Sequence, residues 1–500
     1  MSLSTALNII NSAFVTNAAQ SAVIASNISN ASTTGYNREL ANVVTTYSGG
    51  PEVVSVTREA NAALLEQVNA STSQAAYQQA LSSGLTTLAN TVSDSSSTTS
   101  SSGAAANGNS PSAMLANLQS ALETYDASPS SAAAAQGAVT AAQDLTQSLN
   151  AGDAAVQSVR EQADSDMASA VSTINSLLNQ FTSVNATIVS GTASGADVSS
   201  AEDTRDSILT QLSQQIGVST VANPDGSTSI YTDSGVTLFQ GGQANTLTFT
   251  PTSTYTDGMT GNAVMVDGVP ITGSSSPMAI QSGALAGLAN LRDVVAPQYG
   301  AQLDQIADGL VSAFAESDQT GGTAPTLPGL FTFPGAAGVP SPSTTTGLAS
   351  EIEVNANVDP SQGGNVNLLR DGGIADPTNS AYTYNTTGAA SYTGRIEQLI
   401  SATTSTQSFS AAAGLGTSDS LSDYANNSVS WLQSQNQAAS NQLDYQNSVV
   451  SQATTALSNA TGVNLDTELT NLLSIENSYT TTAKLLTTAN DMLNSLISAV

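Results

Sequence analysis

The chain has 500 residues, too many for one ordinary hydrophobic core, so about two to four domains are expected. Its 38 acidic side chains against eight basic ones give a formal charge of −30. The basic residues form no cluster, which excludes nucleic-acid binding through phosphate neutralisation. Cysteine and histidine are both absent, which excludes disulfides and thiolate chemistry and removes the commonest general base and metal ligand.

Aromatic residues make up only 4% of the chain, so the apolar content is mostly Ala, Leu, Val and Ile. That composition suits close helix packing better than a wide aromatic pocket. An acidic chain rich in Ser, Thr, Asn and Gln reads as an exported or extracellular surface component. The start, Met1-Ser-Leu-Ser-Thr-Ala-Leu, has neither a basic region nor an unbroken apolar run, so a cleaved secretory signal is not expected. No apolar run approaches the roughly 20 residues of a membrane helix.

In chain order, Leu3, Leu7, Ile10, Phe14, Ile24 and Ile28 keep alternating steps of four and three, with Asn17 and Ser21 as polar interruptions. This predicts a helix from Ser4 to Ile28, capped by Ser2 or Ser4 and ended by Asn27, Asn30, Ser32 and Gly35. Residues 36–59 are β-branched and broken by Ser48-Gly49-Gly50-Pro51, a hairpin pattern. A helical pattern resumes over 59–92. Residues 94–112 are low-complexity and read as a flexible loop.

Helices follow over 112–125 and 129–190, with Pro129 as a favourable start. Gly191 to Gly195 marks a turn. The helix over 197–217 is predicted to expose Asp203, Arg205 and Asp206 and to bury Ile208, Leu209, Leu212 and Ile216. From Gly217 the period becomes two. Asn223-Pro-Asp-Gly is a strong turn signal, and short strands are expected over 217–280. Helix returns over 282–316 with a kink at Pro297, residues 317–395 are irregular, and Leu421–Ala460 is a helix with Trp431 on its apolar face.

The last segment opens with Gly462-Val-Asn-Leu-Asp and then runs on without proline or glycine. Leu465, Leu469, Leu472, Tyr479, Ala483, Leu486, Leu493, Ile497 and Val500 step by four and three once Glu476 and Asn490 are counted in. A 3.5-residue period is a narrow seam that calls for a partner helix, and the first thirty residues supply one by antiparallel pairing. The expected fold class is therefore mainly α with a β-containing middle. Paired terminal helices form a coiled-coil-like inner core (1–58 with 465–500). A helical-rod second layer (59–316 with 395–464) carries β-hairpins over about 217–280. A small β-rich or irregular outer domain spans 317–394.

No constellation carries catalysis. The pairs Asp164/Asp166 and Glu351/Glu353 are what chance gives among 38 carboxylates, and stacking aromatics are scarce. Lys484 is placed for a helix flank rather than for a base. No stretch fits a calcium loop, and Gly241–Gly242 lacks the strand-to-helix context of a phosphate loop. No catalytic residue, cofactor or metal is expected. The terminal seams have a plain reading as intramolecular core. Their polar members lower stability and select partners, which fits a seam completed by other subunits.

Ala25-Ser26-Asn27-Ile28-Ser29-Asn30 with Thr34-Gly35-Tyr36-Asn37-Arg38 resembles the N-terminal motif of the bacterial flagellar rod, hook and hook-associated axial family. Gly462-Val-Asn-Leu-Asp-Thr-Glu-Leu, then Ser478-Tyr479, Ala483 and Thr488-Ala489-Asn490-Asp491-Met492-Leu493, is similar to its C-terminal signature. Glu202-Asp203-Thr204-Arg205-Asp206, Ser282-Gly283-Ala284-Leu285 and Glu353-Val354-Asn355 resemble the hook-associated members. The likeness covers most of 1–316 and 395–500 and fails over 317–350 and 361–394.

The resemblance implies a structural subunit at the hook–filament junction that allows filament assembly and is exported through the flagellar type III apparatus. The implied family motif residues are Asn27, Asn30, Gly35, Tyr36 and Arg38. The implied partners are copies of itself in a ring of about eleven, the hook protein, hook-associated protein 3, and an export chaperone at the C-terminal helix. The alternatives are a hook or flagellin-type subunit, or a secreted adhesin or surface hydrolase.

Overall fold

A computed structural model describes residues 3–47, 49–92, 108–343 and 345–498. Val500, the alternative cap Ser2, Ser48 of the hairpin turn and most of the low-complexity stretch lie outside the described residues.

Helix α1 (Leu3–Asn30) leads into a hairpin of β1 (Glu39–Thr45) and β2 (Pro51–Arg58). The strands pair antiparallel from Glu39↔Arg58 to Thr45↔Pro51, with a bulge between Asn42 and Val43. Helix α2 (Ala62–Thr91) starts at Asn61, whose side chain accepts from the Leu64 amide. Helix α3 (Pro111–Ala127) has Ser110 as its cap and proline at the first position, where no amide hydrogen is needed.

Helix α4 (Ala132–Ser194) is the long axis of the molecule. Its 63 residues rise about 95 Å at 1.5 Å each. Ala135, Ala138, Ala142, Leu145, Leu149, Val156, Val159, Ala163, Met167, Ala170, Ile174, Leu177 and Phe181 are buried along it. Those steps of three and four wrap one stripe against its neighbours. The helix begins later than Pro129 suggested, because the Ser131 hydroxyl accepts from the Ala134 amide and caps it there. It also continues through Gly191 and stops at Gly195, whose left-handed φ of 72° ends it.

Helix α5 (Ser199–Gln215) buries Ile208, Leu209 and Leu212 against α4 and α2. The β-containing middle follows. Strands β3 (Val218–Ala222), β4 (Thr228–Thr232), β5 (Thr237–Gln240) and β6 (Gln243–Ala244) form a four-stranded antiparallel meander. Strands β7 (Leu247–Thr248), β8 (Met265–Val266) and β9 (Val269–Pro270) form a second, three-stranded sheet. Both lie on α4, with Phe239 edge-on to Phe181.

Gly283 then admits the next helix. Its φ is +89°, a Cβ there would stand 2.5 Å from the Ile216 Cα, and its amide donates to Ser73 O. Only glycine fits that crossing. Helix α6 (Ala284–Asn290) passes into α7 (Ala296–Ala313) through a π-turn at Leu291–Val295. The sequence placed a kink at Pro297, and the π-turn immediately before it is how the helix continues past a residue with no amide hydrogen.

Residues 317–393 hold only short elements: β10 (Phe331–Thr332), α8 (Leu348–Glu351), β11 (Glu353–Val354) and α9 (Leu368–Asp371). Asx turns at Asp318, Asp359 and Asp376, each carboxylate accepting from amides ahead of it, give this part local order without a regular frame. Helix α10 (Gly394–Thr404) and a hairpin of β12 (Thr406–Ser408) and β13 (Ser418–Ser420) lead to α11 (Leu421–Thr461). Helix α11 runs beside α2, and half-buried Trp431 packs on the core. Helix α12 (Leu465–Ser498), capped by Asn464, lies along α1 rather than back along α11. No described helix is long and apolar enough to cross a membrane.

Candidate functional site

The two chain ends meet as an antiparallel helix pair. Asn27 of α1 reaches Glu468 near the start of α12, while Asn17 exchanges hydrogen bonds with Ser478 and Phe14 meets Tyr479 edge-on at 5.0 Å further along. On α1, Ile10, Asn17 and Ile24 are buried, and Leu3, Leu7, Phe14, Ser21 and Ile28 are half-buried beside them. Asn17 is thus a polar side chain on the inner line, satisfied across the pair.

On α12 the inner line is Glu468, Leu472, Ile475, Thr482, Leu486, Ala489 and Leu493. It shares Leu472, Leu486 and Leu493 with the seam read from the sequence, and half-exposed Tyr479 reaches Phe14 from the same line. The alternate members lie one residue earlier: 468, 475, 482 and 489 in place of 469, 476, 483 and 490. Leu469, Glu476, Asn490 and Ile497 are exposed, Leu465 is exposed at the helix start, and Ala483 is half-buried. Glu476 and Asn490 therefore do not interrupt the contact with α1. A step of three followed by four and a step of four followed by three share half their positions, and only the partner helix separates them.

A polar junction closes the end of the pair nearest the rod. Asn27 Oδ1 accepts from the Glu39 amide (2.8 Å) and from Tyr36 Oη (2.9 Å), while its Nδ2 donates to Glu39 O (2.9 Å). The side-chain amide so acts as a strand partner for the first residue of β1. Arg38 Nε donates to Glu468 Oε1 at 2.6 Å, and its amide donates to Thr461 O at 2.8 Å. Glu468 is only 1% exposed, so this charge depends on Arg38 and Asn27. Burial works against the Arg38 charge, but Glu468 outweighs it and holds the guanidinium above its ordinary range.

A second junction ties the hairpin to α5. Arg58 donates to Glu202 (2.9 Å), Asp203 (2.8 Å) and Asp206 (2.6 Å), and Asn37 Nδ2 donates to Asp203 at 2.6 Å. Arg205 Nη1 donates to Gly226 O in the β3–β4 turn. Asp203, Arg205 and Asp206, expected to face solvent, are instead half-buried between the hairpin and the meander. Their polarity hid this, because a charged helix face reads as solvated unless its counter-charge is known. Burial opposes the Arg58 charge, but Asp206 with Glu202 and Asp203 raises its pKa.

A third polar cluster fastens the middle to the rod. Arg292, in the π-turn and fully buried, pairs with Asp164 of α4 and with Asp293, and donates to Asn262 O. Arg160 lies over the Tyr255 ring and donates to the carbonyls of Met259 and Arg292. Asp164, weighed beside Asp166 as a chance pair, is thus the counter-ion of a buried arginine.

Of the family motif residues, Asn27, Tyr36 and Arg38 converge on the first junction. Asn30 donates to Ser26 O and ends α1, and Gly35 sits exposed at φ 82°. Sequence reasoning quoted Asn37 and Glu468 within the terminal motifs but gave them no role, and it missed Arg58. Among the polar residues on the exposed side of α12, several large apolar side chains stay open, with Leu473 61%, Leu485 55%, Met492 61%, Leu496 63% and Ile497 66% exposed. Among the described residues, no group of three or more acidic side chains could hold a metal.

Residues 97–330 match the family of the FlgK flagellar hook-associated protein helical domain, and residues 456–499 match the C-terminal family of the flagellar basal body rod FlgEFG proteins. Over these stretches the chain is similar to the flagellar hook-associated proteins. It is 26% identical over 319 residues to flagellar hook-associated protein 1 of Salmonella typhimurium, covering 60% of this chain and 54% of that one. It is 24% identical over 326 residues to its Escherichia coli counterpart, covering 61% and 56%. The chain therefore matches about half the length of these relatives. Among solved structures, the flagellar hook junction protein FlgK of Burkholderia pseudomallei is similar with a TM-score of 0.41 and 22% identity, over 54% of this chain and 46% of that one. The rod-family match spans α12 and so contains Glu468 of the junction and the exposed apolar side chains of that helix.

Proposed function

We propose that this chain is a non-enzymatic structural subunit of the bacterial flagellum, set between hook and filament and exported through the flagellar type III apparatus. The observation that carries the reading is the terminal helix pair. It is locked at one end by Arg38 and Glu468, yet α12 keeps Leu469, Leu473, Leu485, Met492, Leu496 and Ile497 exposed. Covering six half-exposed apolar side chains supplies on the order of 5–10 kcal/mol before the cost of association, enough to drive assembly of many weak contacts. The occupant is the terminal pair of neighbouring copies in a ring, with hook protein below and hook-associated protein 3 above. Before export the same face is the surface for a chaperone.

In this reading 1–58 with 465–500 is the inner layer, 59–316 with 395–464 the rod layer, and 317–394 a small outer domain. The test is genetic and biochemical. Cells lacking the protein are expected to shed unpolymerised flagellin, and a chain without residues 465–500 is expected to leave that defect uncorrected. Normal filaments on hooks that carry only the truncated chain overturn the proposal.

A further inference from the structure

A cleft of about 740 Å³ opens between α7, α10 and β12, away from the terminal pair. Asp308, Ser312, Glu397, Ser401, Gln407 and Ser408 are among its lining residues. Asp308 is the only buried member, 2% exposed, so it forms the floor. Its Oδ1 is fully enclosed and has no hydrogen-bond partner among the described residues.

Glu316 is also buried with one oxygen unpartnered, but its other oxygen accepts from the Ala375 amide, whereas Asp308 accepts no hydrogen bond from another described residue. Asp304, one turn earlier on α7, accepts from the amides of Gly347 and Ala349. Asp164 has Arg292, and Glu468 has Arg38. A buried carboxyl without a donor is costly, so its vacancy marks a place where a donor belongs. The described residues supply none, and Lys484 is exposed on α12. Arg38, Arg58, Arg292 and Arg370 are paired with carboxylates. Arg160, Arg205 and Arg395 donate to main-chain carbonyls elsewhere.

We propose that this cleft binds an ammonium or guanidinium group, with Asp308 as its counter-ion and Glu397 and the lining hydroxyls and amides as further acceptors. Two carboxyls with no cation between them repel anions. The described residues also offer no third acidic ligand for a metal ion, which favours an organic cation that brings its own N–H donors. Both a free amine and an Arg or Lys side chain of a second polypeptide present that chemistry. The titratable groups around Asp308 are Glu397 across the cleft on α10 and Asp304 on its own helix. Arg395, also on α10, turns away to the Phe314 and Ala315 carbonyls. Burial alone pushes the Asp308 carboxyl up to about 7, so a cation has to displace its proton.

The test is calorimetric titration of the full chain with argininamide and with a short blocked peptide containing one arginine. Saturable binding is expected, tightening about tenfold from pH 6 to pH 8 as the competing proton leaves. Asp308→Asn is expected to weaken binding at least tenfold and to abolish that pH dependence. Tighter binding of the peptide assigns the site to a polypeptide side chain, and equal binding assigns it to a free amine. No saturable binding of either probe overturns the proposal, as does binding by the wild type that is unchanged between pH 6 and 8. Retention of full affinity by a folded Asp308→Asn chain also overturns it.

Discussion

Arg38 and Glu468 stand 430 positions apart in sequence and 2.6 Å apart in space. The carboxylate comes from the first turn of α12, and the guanidinium from the residue just before β1 begins. Their contact fixes where the last helix leaves the rod and where the first helix hands over to the hairpin. Removing one partner of a buried ion pair costs about 3–5 kcal/mol, and the partial exposure of Arg38 puts Glu468→Ala nearer 2–3 kcal/mol. Hydrogen exchange should therefore show α1 and α12 losing protection together while α2, α4 and α11 keep theirs. Equal loss in all five helices would place the junction in the global core instead.

Ile475 and Leu469 distinguish the inner and outer faces of α12. Ile475 lies on the line against α1, while Leu469 is 49% exposed. Ile475→Gln is expected to destabilise the terminal pair of the isolated chain by about 2–3 kcal/mol. Leu469→Gln should change it by less than about 0.5 kcal/mol. Both should impair polymerisation, the first through the subunit and the second through its contacts. Sedimentation with denaturant melts separates the two effects.

Arg292 and Asp164 are both fully buried, one in the π-turn and one on α4. Either Arg292→Met or Asp164→Leu alone should lower stability by about 3–5 kcal/mol, because a charge is left buried without its partner. Arg292→Met with Asp164→Leu should recover much of that loss. A double-mutant cycle by chemical denaturation measures it, and additive single effects would contradict a direct pair.

Asp153 on α4 is raised to about 7 by burial and by the neighbouring Asp257. Because its folded pKa lies above the unfolded value, the folded chain binds the extra proton. The resulting stabilisation is complete below about pH 4 and is lost as pH rises through about 7. Asp153→Asn keeps the hydrogen-bonding shape without the charge. The variant should gain on the wild type progressively between about pH 4 and pH 7 in thermal midpoint and level off above. A difference that does not change with pH would remove Asp153 from the account.

The helices were legible wherever an apolar period persisted, even across polar members such as Asn17 in α1 and Glu476 in α12, as in α1, α4, α11 and α12. The hairpin after α1 and the meander after Gly217 were legible from turn residues between β-branched runs. The irregular stretch after Ala313 was read as such, and its order comes from Asx turns that have no period. The junctions were not legible. Arg58, Asp203 and Asp206 are unremarkable charges until the hairpin is laid against α5, and Arg292 has nothing in its neighbourhood to announce a partner 128 positions away.

The period of α12 determined that it needs a partner helix, since a strip repeating every 3.5 residues cannot be covered by local chain. It did not determine which strip. Leu472, Leu486 and Leu493 belong to both readings, and the choice between Leu469 and Glu468 as their neighbour turns on one residue, about 100° of helix rotation. Arg38 made that choice by drawing the Glu468 carboxylate inward, and the rotation turned Leu469, Glu476 and Asn490 outward. Composition and periodicity act through local physics and are read along the chain. Which side of a helix is buried follows from charges and shapes that meet only after the chain has folded.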